Sequence, residues 1–425
     1  MRLLAYTSPA RGHLYPIVPI LQELQRRGHE IALRTLASHV ELTRSLGIDT
    51  GPVAERIERI ELDDYKQRSQ PAKGKRALST FLARAEHEAL DIAQAMRDHD
   101  AEAVLIDVNC WGAATAAESY GRPWAIYSPY LLPLPSRHVP PYGLGLRLMD
   151  GPLGATRDAI GSRIVSAVLD RTVMTALNPL RARHDLPALE HFSDLLARPP
   201  LLLALTAEGF EYPRRDWPEN VRLVGAINWS PPQRAPTWLA DMHDPLVLVT
   251  CSTERQCDER LVSVALQALP AAGISVIATT AAHDPETFRS PNGTKVVRFV
   301  PHDSVLKRAA CVVCHGGMGI TQKALAAEVP VVVVPFGRDQ LETARRVEVA
   351  EAGVRLSPRR LTADRLTDAV RTAIGRRAGA RRVSRAYTAA GGAAAAADAI
   401  EAITRDAPCR WTGRGPGRAR RAPAA

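Results

Sequence analysis

Residues 311–343 read CVVCHGGMGITQKALAAEVPVVVVPFGRDQLET, and they carry the strongest indication of the fold in this chain. It begins with a short apolar run typical of a buried strand and continues through the glycine-rich segment HGGMG at residues 315–319. Apolar residues at helical spacing follow and end before Pro330, and a second apolar run, VPVVVVP, leads into the polar turn FGRDQ at residues 336–340. Strand, glycine-rich turn, helix and strand in this order predict a βαβ unit of a parallel sheet.

The glycine-rich turn predicts an anion-binding site. Glycines leave the backbone N–H groups of such a turn accessible, and the N-terminus of the following helix adds the positive end of its dipole. His315 stands directly before the glycines and can donate to a further phosphate oxygen. A helix cap with close strand packing is the alternative interpretation of the same glycines.

The complete spacing of this stretch is more specific than the turn alone. H-G-G-x-G, a helix of small residues, an apolar strand ending in proline, and the pair Asp339 and Gln340 closely resemble the signature of nucleotide-sugar-dependent glycosyltransferases of the GT-B fold. Within that group the chain is similar to family 1, which holds plant and bacterial small-molecule glycosyltransferases. The resemblance implies that His315, with the backbone of Gly316 and Gly317, holds the donor diphosphate. It also implies that Asp339 and Gln340 bind hydroxyls of the transferred sugar.

Two more segments match the donor site of this family. The segment PLVLVTCST places Ser252 and Thr253 after a strand, where the family has Gly-Ser or Gly-Thr near the diphosphate, and Cys251 stands where glycine is common. In the segment RFVP, the resemblance implies that Phe299, two residues before Pro301, stacks on the nucleobase; a core phenylalanine is the alternative. The implied donor-binding set is Ser252, Thr253, Phe299, Val300, His315, Gly316, Gly317, Met318, Gly319, Asp339 and Gln340.

One position departs from the plant pattern. Many relatives carry a glutamate that binds the ribose eight residues after the histidine, and this chain has Lys323 there. The departure favours a thymidine diphosphate donor over a uridine diphosphate donor.

The beginning of the chain also reads as strand, turn, helix and strand. The strand RLLAYTS is followed by the turn PARGHLYP, a helix from about Pro16 to Arg27, and the strand HEIALRTLA. His13 therefore lies at the carboxyl edge of the first strand, where open α/β sheets place their active crevices. The strand AVLID ends at Asp107, at the same edge, so the two side chains can share one crevice.

A carboxylate bonded to one imidazole nitrogen fixes the tautomer and raises the basicity of the other nitrogen. The G-H-x-x-P turn with a strand-ending aspartate resembles the His–Asp dyad of the family. The resemblance implies that His13 deprotonates the acceptor hydroxyl and that Asp107 is its partner. A helix-capping histidine and an ordinary strand-end aspartate are the alternatives.

Residues 129–158 are rich in proline and glycine, which predicts an ordered loop rather than a helix, with a helix from Ala159 to Arg183 after it. A long loop rich in tyrosine and leucine is costly to leave in water. In the family such loops line the acceptor pocket, and this one is similar to those of actinobacterial enzymes that glycosylate polyketides or enediynes. The implied acceptor-binding residues are Tyr130, Leu131, Tyr142 and Leu144.

The motifs run from the first half of the chain to the second in the family's order, which predicts an α/β protein with two facing Rossmann-like domains and a cleft between them. The expected segments are an acceptor-binding domain at 1–227, a linker at 228–243, a nucleotide-sugar-binding domain at 244–381, a helix crossing back to the first domain at 382–406, and a disordered tail at 407–425.

Composition excludes several other classes. The 425 residues carry a net charge of +10, but the last nineteen hold five arginines and no acid, so half of the surplus lies in one tail and no nucleic-acid signature accompanies it. No stretch approaches the roughly 20 apolar residues of a membrane span. Six scattered cysteines indicate reduced thiols in a cytoplasm. Cys311, Cys314 and His315 have a spacing seen in haem and zinc sites, but Cys311 lies in an apolar strand, so no metal is expected.

The sequence thus predicts an inverting, metal-independent glycosyltransferase that needs no cofactor besides its nucleotide-sugar co-substrate. The donor is expected to be a thymidine diphosphate (deoxy)sugar, and the acceptor a hydroxyl of an apolar natural product. Two alternatives remain open at this point, a catalytically silent helper protein of the same fold and a GT-B epimerase that uses a uridine diphosphate sugar. The sequence leaves monomer and homodimer equally open.

Overall fold

The computed structural model describes residues 1–254 and 256–405, and these contain two parallel sheets. The predicted fold class, two parallel-sheet α/β units, is confirmed. The predicted disordered tail at 407–425 lies outside the described residues. Within the described residues, no helix has both the length and the apolar character needed to cross a bilayer.

The first sheet, which defines the N-terminal half, has seven parallel strands in the order 3-2-1-4-5-6-7. The order reverses beside the first strand, between the first and the fourth, and crevices for ligands form at such points in doubly wound sheets. The strands are β1 (Arg2–Tyr6), β2 (Glu30–Thr35), β3 (Asp49–Pro52), β4 (Ala103–Asp107), β5 (Trp124–Ser128), β6 (Leu201–Ala204) and β7 (Val221–Leu223). The helices are α1 (Arg11–Leu14), α2 (Val18–Arg26), α3 (Val40–Ser45), α4 (Glu55–Arg59), α5 (Gln70–Asp98), α6 (Trp111–Tyr120), α7 (Gly151–Arg183) and α8 (Phe192–Ala197).

The second sheet, which defines the C-terminal half, has six parallel strands and contains the predicted βαβ unit. Its strands are β8 (Leu246–Thr250), β9 (Ser275–Thr279), β10 (Thr294–Val297), β11 (Ala309–Cys314), β12 (Val331–Val333) and β13 (Gly353–Arg355), in the order 10-9-8-11-12-13. Its helices are α9 (Glu259–Ala271), α10 (His302–Leu306), α11 (Met318–Ala326), α12 (Gln340–Val349) and α13 (Ala363–Ile374). The central strands β8, β9, β11 and β12 are buried along nearly their whole length, as expected for a sheet covered on both faces.

The C-terminal segment forms two helices rather than the single predicted one. They are α14 (Arg377–Ala389) and α15 (Gly392–Arg405), and the chain turns between them at Gly391, whose φ of 88° favours glycine. Helix α14 packs on α11, and α15 packs on α2 and β6. Ala396, Ala397 and Ile400 of α15 are buried in the core of the N-terminal half. The last two helices therefore connect the two halves.

Two predicted boundaries near the site were wrong. The first helical segment begins at Arg11, not Pro16. Pro16 and Pro19 do not interrupt it, because each stands in the first turn of a new element, a short 3₁₀ helix and α2, where a missing N–H costs nothing. Helix α7 begins at Gly151, so residues 151–158 are not loop. Pro152 stands in the first turn of α7, and Gly154 is needed because a Cβ there would lie 2.2 Å from the Met149 carbonyl oxygen. The glycine and proline of this segment begin a helix rather than prevent one.

Candidate active site

One cleft of about 550 Å³ opens between the two halves. Its walls include the loops after β1, β5 and β7 of the first sheet and after β8, β10, β11 and β12 of the second, all at the carboxyl ends of parallel strands. Twelve of the residues implied by sequence lie along it, namely His13, Tyr130, Ser252, Thr253, Phe299, Val300, His315, Gly317, Met318, Gly319, Asp339 and Gln340.

His13 and Asp107 form a hydrogen-bonded pair at the floor of the cleft. Strands β1 and β4 are neighbours, so α1, which follows β1, and Asp107, which ends β4, meet at one sheet edge. His13 Nδ1 lies 2.6 Å from Asp107 Oδ2, and the carboxylate is fully buried whereas the imidazole is 18% exposed. Because the carboxylate accepts, Nδ1 carries the proton and Nε2 keeps its lone pair.

The surroundings set the protonation of both partners. Burial disfavours the imidazolium, but the adjacent Asp107 carboxylate outweighs burial and raises the pKa of His13 above 6.5. Burial likewise opposes ionisation of Asp107, but His13, with donors from Asn109 and Tyr127, lowers the pKa of that carboxyl. Asp107 is thus anionic and His13 is a base of increased strength.

Sequence reasoning missed three residues that hold this pair. The Tyr127 hydroxyl lies 3.1 Å from Asp107 Oδ2, the Ser8 hydroxyl donates to the same oxygen at 3.2 Å, and the Asn109 N–H donates to Oδ1 at 2.8 Å. Tyr127 is the register partner of Asp107 on the neighbouring strand. Tyr127 lies near the end of β5, the strand next to that of Asp107, and this position is the sequence signal from which the contact could have been predicted.

Tyr130 and Asn109 form the wall beside Nε2, the second imidazole nitrogen of His13. The Tyr130 hydroxyl donates to Asn109 Oδ1 at 2.6 Å, and its ring meets the His13 ring edge-on at 5.8 Å. This orients the Asn109 amide nitrogen toward His13 Nε2 at 3.5 Å. A hydroxyl bound in the cleft could reach the same nitrogen.

The glycine-rich loop closes around His315. Gly316 has a φ of 96°, and a Cβ on Gly317 would lie 2.4 Å from His315 Nε2, so the imidazole lies over the Gly317 backbone. Gly317 precedes α11, whose first turn receives no side-chain cap. Burial lowers the pKa of His315, which keeps it neutral, and its buried Nδ1 makes no hydrogen bond within the described residues. The loop therefore presents uncapped N–H groups and a neutral imidazole, a combination suited to an anion.

The loop after β8 lies beside the glycine-rich loop, because β8 and β11 are neighbouring strands. Ser252 Oγ accepts hydrogen bonds from the Glu254 N–H at 3.2 Å and from Gln256 Nε2 at 3.0 Å, so its own proton is left to donate. The Ser252 N–H donates to Asp258 Oδ2 at 2.7 Å, and Asp258 also faces His283 and His315. Asp258 is a further residue that sequence reasoning missed. It is fully buried and fixes this loop beside His315.

Phe299 is 53% exposed and lines the cleft, so the alternative of a core phenylalanine is wrong. The Arg11 guanidinium lies 5.8 Å from the centre of its ring. Lys323 also lines the cleft; its ammonium donates to Ser230 Oγ and lies 3.6 Å from Asp303 Oδ1. Burial lowers the pKa of Lys323.

The Asp339–Gln340 pair begins α12. Burial raises the pKa of Asp339, which lines the cleft. Gln340 Oε1 accepts from the Phe336 and Gly337 N–H groups at 2.7 and 3.0 Å, and its Nε2 donates to Gln256. The Gln340 amide therefore shapes the turn that presents Asp339.

Three of the four predicted acceptor residues are not brought to the cleft. Leu131 is fully buried in the hydrophobic core of the C-terminal half, Tyr142 lines a separate small cavity beside Arg346, and Leu144 is 48% exposed outside the cleft. The reason is that their loop docks on α12, where the Gly143 and Gly145 N–H groups donate to Glu342 Oε1 at 3.0 and 2.7 Å. Of the predicted acceptor set, Tyr130 lines the cleft.

Comparisons with known proteins cover both halves of the chain. Residues 264–401 match the erythromycin biosynthesis protein CIII-like C-terminal domain. The chain is 31% identical over 419 residues to 4'-demethylrebeccamycin synthase of Lentzea aerocolonigenes, covering 95% of this chain and 99% of that protein. Two solved structures of similar fold are the calicheamicin glycosyltransferase CalG4 (TM-score 0.71, 20% identity, 96% and 100% of the chains) and glycosyltransferase VinC in complex with DTDP (0.70, 21%, 95% and 100%).

Proposed function

The chain belongs to the natural-product glycosyltransferase family of 4'-demethylrebeccamycin synthase, and on that premise we propose that it moves a deoxysugar from a thymidine diphosphate donor to a hydroxyl of an apolar aglycone. The observation that carries the proposal is that the His13–Asp107 pair and the HGGMG loop open on one cleft. A base strengthened by a buried carboxylate thus faces a site suited to a diphosphate.

In the proposed reaction, the acceptor hydroxyl gives its proton to His13 Nε2 while its oxygen attacks the anomeric carbon. A new carbon–oxygen bond forms as the bond to the diphosphate breaks, and the electron pair leaves with the diphosphate. A single displacement from the face opposite the leaving group inverts the configuration of that carbon. Asp107 stabilises the imidazolium that results.

The charge on the leaving diphosphate would be balanced by the N–H groups at the start of α11, by His315 and by Ser252. His315 and Ser252 are buried, and hydrogen bonds from Glu254 and Gln256 hold the Ser252 hydroxyl before the reaction, so little reorganisation is needed as charge develops. The proposed mechanism assigns this task to the protein and uses no metal ion.

Two observations support a thymidine nucleotide. Lys323 occupies the position where the family resemblance places a ribose-binding glutamate, and its ammonium is already engaged with Ser230 and Asp303. VinC, of the same fold, was solved in complex with DTDP. A uridine nucleotide is the competing donor, since the chain is 30% identical over 258 residues to UDP-glycosyltransferase 2 of Phaeomoniella chlamydospora.

Calorimetric titration with thymidine diphosphate and with uridine diphosphate tests the donor site. We expect micromolar affinity for the thymidine nucleotide and weaker binding of the uridine nucleotide. His315→Ala should raise the dissociation constant about tenfold or more, because it removes a charge-assisted donor. His191→Ala changes an exposed histidine of the N-terminal half and should leave the affinity unchanged.

If neither nucleotide binds the wild-type protein, the nucleotide-sugar proposal is wrong and the helper-protein alternative gains support. If both bind and a screened aglycone is glycosylated, the anomeric configuration of the product decides the stereochemistry. Retention would contradict the single displacement.

A further inference from the structure

An ion pair crosses the cleft at the turn that presents Asp339. Arg338, the preceding residue, makes a two-pronged contact with Asp64 of the N-terminal half, Nε to Oδ2 at 3.0 Å and Nη2 to Oδ1 at 2.7 Å. The partners are 274 residues apart, and their side chains are 21% and 3% exposed. Such paired N–H···O contacts fix the guanidinium plane and its distance from the carboxylate at once.

The same turn is held at two further points. The Phe336 carbonyl accepts from Gln70 Nε2 at 2.9 Å and from Lys73 Nζ at 3.2 Å, both at the start of α5 in the N-terminal half. Arg338 Nη1 also contacts Glu254 Oε2 at 2.8 Å, in the loop after β8. The turn thus joins α5 to the loop that carries Ser252.

The backbone of this turn needs such support. Arg338 has a φ of 54°, in the left-handed region that a residue with a Cβ rarely adopts without compensation. The contacts from Asp64 and α5 hold the turn only while the two halves are together, whereas the Arg338–Glu254 pair lies within the C-terminal half.

We propose that Asp64 is a positioning residue of the transfer reaction, which acts through Arg338 to set the sugar-binding carboxylate of Asp339 when the cleft closes. This inference rests on the proposed function and deepens it, because it assigns part of the sugar site to the opposite half of the molecule. Buried ion pairs add little net stability but impose geometry. Because Asp64 reaches Arg338 only when the cleft is closed, the sugar site is complete only in the closed cleft. Sugar transfer is then favoured in the state that excludes water.

The test compares Asp64→Asn with Asp63→Asn. Asn keeps the shape of the side chain and removes its charge. Asp63 is the adjacent carboxylate, but it pairs with Arg76 and Lys66 within the N-terminal half. We expect Asp64→Asn to lower kcat/KM for the nucleotide sugar about 10- to 100-fold, with the dissociation constant of thymidine diphosphate unchanged and the unfolding midpoint lowered only slightly, because Arg338 keeps Glu254 as a charged partner. Asp63→Asn should resemble the wild type in all three.

Arg338 itself lines the cleft, so its own substitution is also expected to lower activity. Combining Asp64→Asn with Arg338→Gln shows whether the two side chains act through one another or independently. In the Arg338→Gln background, Asp64→Asn should cost less than twofold in kcat/KM. The proposal is overturned if Asp64→Asn transfers sugar at the wild-type rate, if it weakens thymidine diphosphate binding by the same factor as transfer, or if the two losses multiply. Failure of the proposed function itself would appear separately, as a wild-type protein that binds no nucleotide.

Discussion

His13 gains its basicity from a single short contact with a buried carboxylate. The imidazole lies in a place where burial alone would favour the neutral ring, and the Asp107 charge reverses that preference and raises the pKa of His13. The active form carries an unprotonated His13, so the transfer rate should rise with pH through this raised pKa, above 6.5.

Asp107→Asn should change that pH profile in two ways. Without the carboxylate, burial outweighs the smaller effects of the Glu254 and Asp339 charges on the pKa of His13, so the midpoint of the rising limb moves to lower pH. The maximal kcat should fall about 10²- to 10⁴-fold, because the tautomer and the imidazolium lose their support. The measurement is kcat against pH for both proteins.

Ser8→Ala serves as the control, since it removes one neutral donor to the same carboxylate and should lower kcat less than about tenfold. An Asp107→Asn profile with an unmoved midpoint would show that His13 does not govern the limb.

Glu88 is a second buried acid close to Asp107, and it makes folding depend on pH. Burial raises its pKa from 4.5 to about 8, partly opposed by the Gly112 N–H, which donates to it at 3.1 Å. Between these values the unfolded chain loses the proton while the folded protein keeps it, so stability falls as pH rises from 4.5 to 8. The loss between pH 5 and pH 8 is roughly 3 kcal/mol.

Glu88→Gln should remove this loss, so thermal unfolding midpoints at pH 5 and pH 8 should lie closer together than in the wild type. Glu86→Gln, an exposed acid on the same helix, should leave the difference as it is. An unchanged difference in Glu88→Gln would mean that Glu88 ionises freely in the folded protein.

At the scale of elements, the contact between α5 and α6 brings two helix backbones unusually close. A Cβ on Gly112, in the first turn of α6, would lie 1.6 Å from the Ala85 carbonyl oxygen of α5. Helix α5 carries Glu88 near the dyad, and its start contacts the Phe336 turn. The spacing of these two helices therefore affects both ends of the site.

Gly112→Ala should destabilise the protein by about 3 kcal/mol, because backbone has to move to admit the methyl group. Gly74→Ala, an exposed position in α5 with open space around its Cβ, should instead stabilise it by about 0.5 to 1 kcal/mol. Thermal melts of the two variants test the contact directly. A Gly112→Ala midpoint equal to that of the wild type would show that α6 can shift at no cost in stability.

At the scale of the whole molecule, a buried ion network joins the halves behind the cleft. Arg346 of α12 contacts Glu211 of the N-terminal half at 2.7 Å and Glu342 at 2.8 Å, with all three side chains less than 10% exposed. Glu342 in turn accepts the N–H groups of the loop at Gly143 and Gly145. Helix α12 is thus fixed by the N-terminal half along its side as well as at the Arg338 turn.

Arg346→Ala should destabilise the protein by about 3 to 5 kcal/mol, because it leaves two carboxylates buried without their partner. Arg381→Ala breaks an exposed pair with Glu328 and should change stability by less than about 1 kcal/mol. Chemical denaturation measures both. A loss below 1 kcal/mol for Arg346→Ala would show that water reaches the two glutamates.

The two parallel sheets, and twelve of the residues that line the cleft, follow from the sequence. Apolar runs and glycine turns are local signals, and the chain order of strand, turn and helix brings His13 and Asp107 to one sheet edge and His315 to the opposite wall. Proline and glycine are compatible both with a loop and with the first turn of a helix. The loop predicted at Pro152 and Gly154 was wrong, because these residues begin α7.

Which distant side chains meet could be seen only in the folded protein. The partners of Asp107 on β5, the use of the 143–145 loop as a contact to α12 rather than a cleft wall, and the Asp64–Arg338 pair all join residues far apart in sequence. The first of these contacts follows from the pairing of β4 with β5, and the other two follow from how the two halves pack against each other. No local pattern of hydrophobicity, charge or turn residues encodes that packing, because each partner on its own looks like an ordinary polar surface residue.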